Sequence, residues 1–181
     1  MLTDFQKKKL TAWFRICDTD GNGVLERVDY EKMADRLVAA NRLEASSPVA
    51  GRIRSTYLEG WSKVEKLADA NRDGKVTLEE WLSALGTQLA DKSNYQRMLH
   101  DQAATIVEMT DHDRDGRIAE ADFVTNLRAY GQGEEPARAA FKKLDRDGDG
   151  QLSQDELLAA VEEFFFSEDP AARGNWLIGP L

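Results

Sequence analysis

Four twelve-residue segments carry most of the chain's chemical character: Asp18 to Asp29 (DTDGNGVLERVD), Asp69 to Glu80 (DANRDGKVTLEE), Asp111 to Asp122 (DHDRDGRIAEAD) and Asp145 to Glu156 (DRDGDGQLSQDE). Each puts Asp first, Asp or Asn third and fifth, Gly sixth, an aliphatic residue eighth and a carboxylate twelfth. Oxygens crowded in this way repel one another unless a hard divalent cation sits among them. Such a cation takes roughly six to eight oxygen ligands at short, fixed distances. One match could be a chance run of Asp-Gly turns; four in one chain point to metal binding.

The ligands follow from the spacing: side chains at positions 1, 3, 5 and 12, and the backbone carbonyl at position 7. Loop one offers Asp18, Asp20, Asn22, the Val24 carbonyl and Asp29, with Glu26 at the ninth position. Loop two offers Asp69, Asn71, Asp73, the Lys75 carbonyl and Glu80, with Thr77 ninth. Loop three offers Asp111, Asp113, Asp115, the Arg117 carbonyl and Asp122, while Ala119 leaves the ninth place to water. Loop four offers Asp145, Asp147, Asp149, the Gln151 carbonyl and Glu156, with Ser153 ninth. Gly at position 6 lets the backbone turn through left-handed angles that a Cβ would oppose.

The twelfth residue separates the loops into two kinds. Glu80 and Glu156 are long enough to give both oxygens to Ca²⁺, whereas Asp29 and Asp122 are one methylene shorter. A shorter arm draws the exit helix inward or binds through one oxygen, and a lower ligand count suits Mg²⁺. Loop four is therefore expected to be the most Ca²⁺-selective, and loops one and three the Mg²⁺-tolerant or weaker sites. In all, up to four Ca²⁺ ions are expected, with Mg²⁺ competing at the two Asp-ended loops.

The loops need helices to hold them. At eight, five, four and one residues before each loop stand Leu10, Trp13, Phe14, Cys17; Trp61, Val64, Glu65, Ala68; Ala103, Ile106, Val107, Thr110; and Ala137, Ala140, Phe141, Leu144. That spacing lays four side chains on one helical face. Glu65 breaks the second set, where Leu67 is expected to share the apolar duty, and Thr110 is a weaker exception. After each loop the helical spacing resumes, at Tyr30, Met33, Leu37; Trp81, Ala84, Leu85; Phe123, Leu127, Tyr130; and Leu157, Val161, Phe164. Thr3 with Gln6, Ser47 before Pro48, and Glu134-Glu135-Pro136 mark helix starts.

An all-α fold follows: four helix-loop-helix units in two pairs, residues 1–90 and 91–181, packed as one compact globule. The eighth residues should pair neighbouring loops through short β-bridges, Leu25 facing Val76 and Ile118 facing Leu152, and this pairing should couple the sites within each half. Gly86 and the stretch Asp91 to Asn94 are expected to interrupt any long helix between the halves. The tail after the fourth unit, with Trp176-Leu177-Ile178, is expected to lie in the protein's own cleft.

The chain has 181 residues and 33 acidic against 24 basic side chains, a net charge of -9. Such a balance argues against nucleic acid as a partner. Fourteen of the acids are the loop ligands themselves, so the remaining 19 face 24 bases and the rest of the chain is net +5. Four bound divalent ions would bring the whole molecule to -1. A single cysteine, Cys17, excludes an intrachain disulfide and favours a reducing compartment. The N-terminus lacks a secretory pattern and no segment reaches membrane-spanning length, so a cytoplasmic protein without stable membrane insertion is expected.

With these motifs in view, the chain resembles EF-hand proteins, and its layout is similar to the sarcoplasmic calcium-binding proteins and bacterial calerythrin. The uneven spacing of loop starts (51, 42 and 34 residues), the first loop ending in Asp29, and GNWLIG at Gly174 to Gly179 carry the resemblance. It implies a compact four-EF-hand globule acting as an intracellular Ca²⁺ buffer or transporter, and a monomer serving as a Ca²⁺ buffer or signal modulator is expected. Sarcoplasmic relatives often keep only two or three working loops, whereas this sequence has acceptable ligands in all four. The alternative is a Ca²⁺ sensor that exposes a hydrophobic surface and regulates a target protein. With only Met1, Met33, Met98 and Met109, but Trp13, Trp61, Trp81, Trp176 and the run Phe164 to Phe166, the composition favours a rigid, permanently filled core over an adaptable groove. No catalytic constellation is present: His100 and His112 are the only histidines, and Cys17 sits at an apolar helical position. A chromophore pocket like that of the photoproteins, which share the four-unit plan, is disfavoured by the scarcity of histidine and the lack of their terminal motif.

Overall fold

The computed structural model describes residues 2–91, 95–111 and 115–181. Helices α1 (Asp4–Cys17) and α2 (Arg27–Ala40) flank loop one, and α3 (Pro48–Ala68) and α4 (Leu78–Ala90) flank loop two. Loop three lies between α5 (Tyr95–Thr110) and α6 (Glu120–Ala129), and loop four between α7 (Glu134–Leu144) and α8 (Gln154–Phe166). The helix starts carry the chemistry that the sequence announces. The Thr3 amide donates to Gln6 Oε1 at 2.9 Å and the Gln6 amide to Thr3 Oγ1 at 3.3 Å. Ser47 Oγ accepts from the Ala50 amide with Pro48 in the first turn.

Within each loop, two residues form a short strand: β1 (Val24–Leu25), β2 (Val76–Thr77), β3 (Ile118–Ala119) and β4 (Gln151–Leu152). They pair antiparallel as β1-β2 and β3-β4, with Leu25 opposite Val76 and Ile118 opposite Leu152. All four of these side chains are fully buried. Each bridge thus carries apolar anchors from its own pair of loops into the interior.

One cluster of buried side chains runs through both halves. Helix α1 packs on α8, α2 on α6 and α3 on α5, so the pairs interlock. Trp81 Nε1 donates to the Leu10 carbonyl at 3.2 Å, and the Trp13 ring meets Trp81 edge-on at a centroid distance of 5.0 Å. Among the described residues, no helix is long and apolar enough to cross a membrane.

Three expectations need correction. Gly86 does not interrupt α4, which runs through it to Ala90. A lone glycine costs a helix only about 1 kcal/mol, and here the missing Cβ admits Leu2, whose Cγ would lie 3.3 Å from it. Leu67 does not take over the apolar duty at the break in the second helical face, because its side chain is 40% exposed. The core is also not filled: a cavity of about 210 Å³ lies between the halves, and Trp13, Phe164 and Phe165 line it rather than fill it. Thr110, by contrast, is buried as its position demands, and its hydroxyl accepts a hydrogen bond from Asn126 Nδ2.

The tail is docked. A 3₁₀ turn over Arg173–Trp176 packs on α7 and α8, with Gly174, Asn175 and Leu177 buried. Close approach requires glycine at 174, where a Cβ would stand 2.4 Å from the Ala160 carbonyl oxygen. Lys9 latches this assembly from the other end of the chain. Its side chain is fully buried, and Nζ donates to the carbonyls of Glu163 (3.0 Å) and Ser167 (2.8 Å) and to Asn175 Oδ1 (3.3 Å).

Candidate metal centres

The sixth residue of every loop is a glycine with positive φ: +86° at Gly23, +79° at Gly74, +83° at Gly116 and +85° at Gly150. A Cβ at any of them would touch nothing within 4 Å, so backbone conformation alone demands glycine. The left-handed turn aims backbone amides at the first ligand. Gly23, Gly74, Gly116 and Gly150 donate to Oδ2 of Asp18, Asp69, Asp111 and Asp145 at 2.9, 3.0, 2.9 and 3.1 Å. The fifth residue repeats the device two positions on, where Val24, Lys75, Arg117 and Gln151 donate their amides to Asn22, Asp73, Asp115 and Asp149. These bonds fix the aspartate rotamers, and the seventh residues, whose carbonyls the sequence nominates, start or precede the β-bridges.

In loop one, oxygens of Asp18, Asp20 and Asp29 lie within 4.8 Å of one another. In loop four the same holds for Asp145, Asp147 and Asp149. Carboxylate sets this close fit a hard divalent cation, which takes oxygen donors and offsets their repulsion. Loop two substitutes the neutral Asn71, whose Nδ2 donates to Asp73 Oδ2 at 3.1 Å. In loop three, Asp111, Asp115, Arg117 and Asp122 are described, whereas Asp113 and His112 lie outside the described residues.

The twelfth residue does double work. Glu80 Oε2 accepts from both the amide and the hydroxyl of Thr77, each at 2.9 Å, while Thr77 Oγ1 caps the first turn of α4. Glu156 pairs with Ser153 in the same way, and its Oε1 accepts from the Arg146 amide at 2.6 Å. Thus the ninth residue is the helix N-cap, and the twelfth ligand is the third helical residue that completes a capping box. Asp29 reaches the same end with a shorter arm. Fully buried, it accepts from the Glu26 amide (2.9 Å) through Oδ2 and from the amide (3.0 Å) and hydroxyl (2.8 Å) of Thr19 through Oδ1. Ala119 gives α6 no side-chain cap.

Hydrogen bonds and a neighbouring cation favour the ionised form of three of the ligands. Hydrogen bonds from Thr77 hold Glu80 below the usual carboxylate range. Burial pushes Glu156 upward, but the bonds from Ser153 and Arg146 outweigh it and leave it lowered. Asp20 is lowered chiefly by Lys32, whose Nζ stands 3.0 Å from Oδ2.

Lys32 is one of several residues that periodicity does not reveal. Thr19 at position 2 holds Asp29, and the Arg117 side chain crosses to Asp149 of the paired loop at 2.9 Å. Each is a contact between residues 10 to 32 apart in sequence. The only local signal is the hydroxyl of Thr19 beside the first ligand.

A sequence model of the EF hand domain matches residues 137–164, and a second EF-hand model matches residues 66–85. Over 166 residues the chain is 31% identical to calerythrin of Saccharopolyspora erythraea, a match covering 91% of this chain and 92% of that one. It belongs to the calerythrin family of EF-hand calcium-binding proteins. Solved structures share the fold of this family member. Calcium-loaded apo coelenterazine-binding protein from Renilla muelleri superposes with a TM-score of 0.83 at 25% identity, covering 99% of this chain and all of that one. The sarcoplasmic calcium-binding protein of amphioxus gives a TM-score of 0.75 at 20% identity, with both chains fully covered.

Proposed function

We propose that this calerythrin-family protein is a monomeric, cytoplasmic buffer of Ca²⁺ and Mg²⁺. Residues 1–90 and 91–181 then act as two coupled pairs of sites, with no nucleic-acid partner. The observation that carries the proposal is the gathering of Asp18, Asp20 and Asp29, and of Asp145, Asp147 and Asp149, within 4.8 Å on loops whose glycines turn the backbone around a common centre. Glu80 and Glu156 then supply the Ca²⁺-selective ends, and Asp29 and Asp122 the Mg²⁺-tolerant ones. A buffer keeps its apolar surface covered as ions come and go. The docked tail supports that reading, because Leu177 and Ile178 lie against the interior instead of leaving it open to a target.

Calorimetric titration with Ca²⁺, with and without Mg²⁺, beside binding of a hydrophobic dye to the chelated and loaded protein, tests the proposal. A buffer shows up to four ions bound, weaker Ca²⁺ binding at two sites in Mg²⁺, and little change in dye fluorescence. A large rise in dye binding on loading overturns it in favour of a sensor acting on a target protein. Truncation before Asn175 should raise dye binding by itself if the tail covers the interior.

A second reading, carriage of a small apolar molecule, is favoured by the internal cavity of about 210 Å³. It agrees with the name of the coelenterazine-binding relative. Retention of an apolar fluorescent probe through gel filtration tests this reading.

A further inference from the structure

Three basic side chains stand on carboxylates that the ions need. The Arg117 guanidinium reaches from loop three to Asp149 Oδ2 in loop four at 2.9 Å. Lys75 reaches from loop two to Glu26, the ninth residue of loop one, with Nζ 3.4 Å from Oε1. Lys32, on α2, donates to Asp20 Oδ2 in loop one at 3.0 Å. Both loops contacted in this way gather three aspartates within 4.8 Å. At Asp149 the Gln151 amide holds Oδ1 at 2.8 Å, so the guanidinium takes the other oxygen. Asp20 is arranged alike, with the Asn22 amide on Oδ1 at 3.3 Å and Lys32 on Oδ2.

Arg117 and Lys75 share a place in their loops. Each is the seventh residue, whose carbonyl is nominated for the ion of its own loop, and each directly precedes its strand. The carbonyl thus belongs to one site and the side chain to the next. The antiparallel bridges, Leu25 opposite Val76 and Ile118 opposite Leu152, bring the seventh residue within reach of the paired loop. The seventh residues of the partner loops, Val24 and Gln151, carry no charge. Within each pair the charge therefore acts in one direction, from loop two onto loop one and from loop three onto loop four.

We propose that Arg117 and Lys75 are affinity-setting residues that act across the loop pairs, each competing with the divalent ion of the neighbouring loop for a carboxylate, and that Lys32 does the same within its own unit. The inference rests on the buffer reading above and adds what holds loops one and four below the affinity of their donor sets. An incoming ion either displaces the cation from its carboxylate or binds with a positive charge left close by. Both cost binding free energy, and both act on any divalent ion, so the ratio of Ca²⁺ to Mg²⁺ affinity is untouched. In the chelated protein the same cations offset repulsion among the loop carboxylates. The contacts are exposed and screened by solvent, which sets the effect at about fivefold in affinity and makes it fall with salt.

The test follows Ca²⁺ binding to the full chain by competition with a chromophoric chelator, in wild type, Arg117→Met, Arg117→Lys and Arg128→Met. The amides of Gly23 and Gly150, which bond the first aspartates of loops one and four, assign each binding step to its loop by nuclear magnetic resonance. Arg128 pairs with Glu134 and with no loop ligand, so its variant removes the same charge away from the sites. The expected result at low salt is about fivefold tighter Ca²⁺ binding at loop four in Arg117→Met, with the other two variants within about twofold of wild type. Mg²⁺ affinity rises by the same factor, and the gain for both ions falls below about twofold in about 0.5 M KCl. The chelated Arg117→Met protein melts below the chelated wild type. Lys75→Met and Lys32→Met tighten loop one in the same manner. An unchanged loop-four affinity in Arg117→Met, or an equal gain in Arg128→Met, overturns the inference and leaves the buffer reading standing. Absence of ion binding by the wild-type chain overturns both.

Discussion

Asp29 and Glu156 occupy the same loop position and do the same capping work, yet their reach differs by one methylene. Asp29 is enclosed by Thr19 and Glu26 and has no exposed surface, while Glu156 is 8% exposed. Lengthening the arm adds a second oxygen for the ion, at some cost in local crowding. Asp29→Glu and Asp122→Glu are expected to raise the ratio of Ca²⁺ to Mg²⁺ affinity at loops one and three by about tenfold, or about 1.4 kcal/mol. Titration of each variant with both ions checks this, and an unchanged ratio would remove the distinction between the two kinds of loop. Cys17 belongs to the same scale. Burial pushes its thiol up to about 12, so it is a packing residue and no nucleophile.

Each exit helix begins inside a metal loop, so capping and coordination share atoms. Helix α6 is the exception, because Ala119 offers no side chain at the position where Thr77 and Ser153 cap α4 and α8. Ala119→Ser is expected to stabilise the chelated protein by about 1 kcal/mol, read from the midpoint of urea unfolding. The latch on α8 has a different signature. Burial lowers Lys9 from 10.5 to about 8, with Glu163 opposing the shift. Between those values the unfolded chain holds a proton that the folded chain has released, so Lys9 makes stability rise with pH across that window. Below it both states are protonated and the full burial penalty applies. Wild-type stability minus that of Lys9→Met should therefore increase between about pH 8 and 10.5. The raised tyrosine and Cys17 groups titrate alike in both proteins, so the subtraction removes them. A flat difference would show that Lys9 stays charged at its three acceptors.

For the molecule as a whole, the ions are also its charge balance. The chelated chain carries -9, and the four divalent ions of the proposed sites would bring it to -1. An ion at about a hundredfold excess over its dissociation constant adds about 2.7 kcal/mol per site, provided it binds only the folded chain. Chelation is expected to lower the thermal midpoint. Raising KCl should then recover part of the loss for the chelated protein by screening its self-repulsion, with little effect on the loaded one. Equal salt response in both forms would mean that the loop carboxylates do not dominate the field. The interlocked contacts of α2 with α6, α3 with α5 and α1 with α8 are expected to give a single cooperative transition in the loaded state.

Much of this was legible in the residues themselves. The twelve-residue loops, the helical faces from Leu10 to Phe164 and the pairings Leu25 with Val76 and Ile118 with Leu152 are local patterns, set by loop chemistry and helical periodicity within each unit. Leu67 and Gly86 misled because a pattern read along one helix does not say which neighbour packs against it. Lys9 beneath the C-terminal end of α8, the docking of Gly174, and the cavity beside Asn126 join residues up to 166 positions apart, and none repeats from unit to unit. The sequence by itself therefore determined what the four loops can hold. Only the tertiary structure decided what lies between the halves, because a gap is made by how packed helices fail to meet.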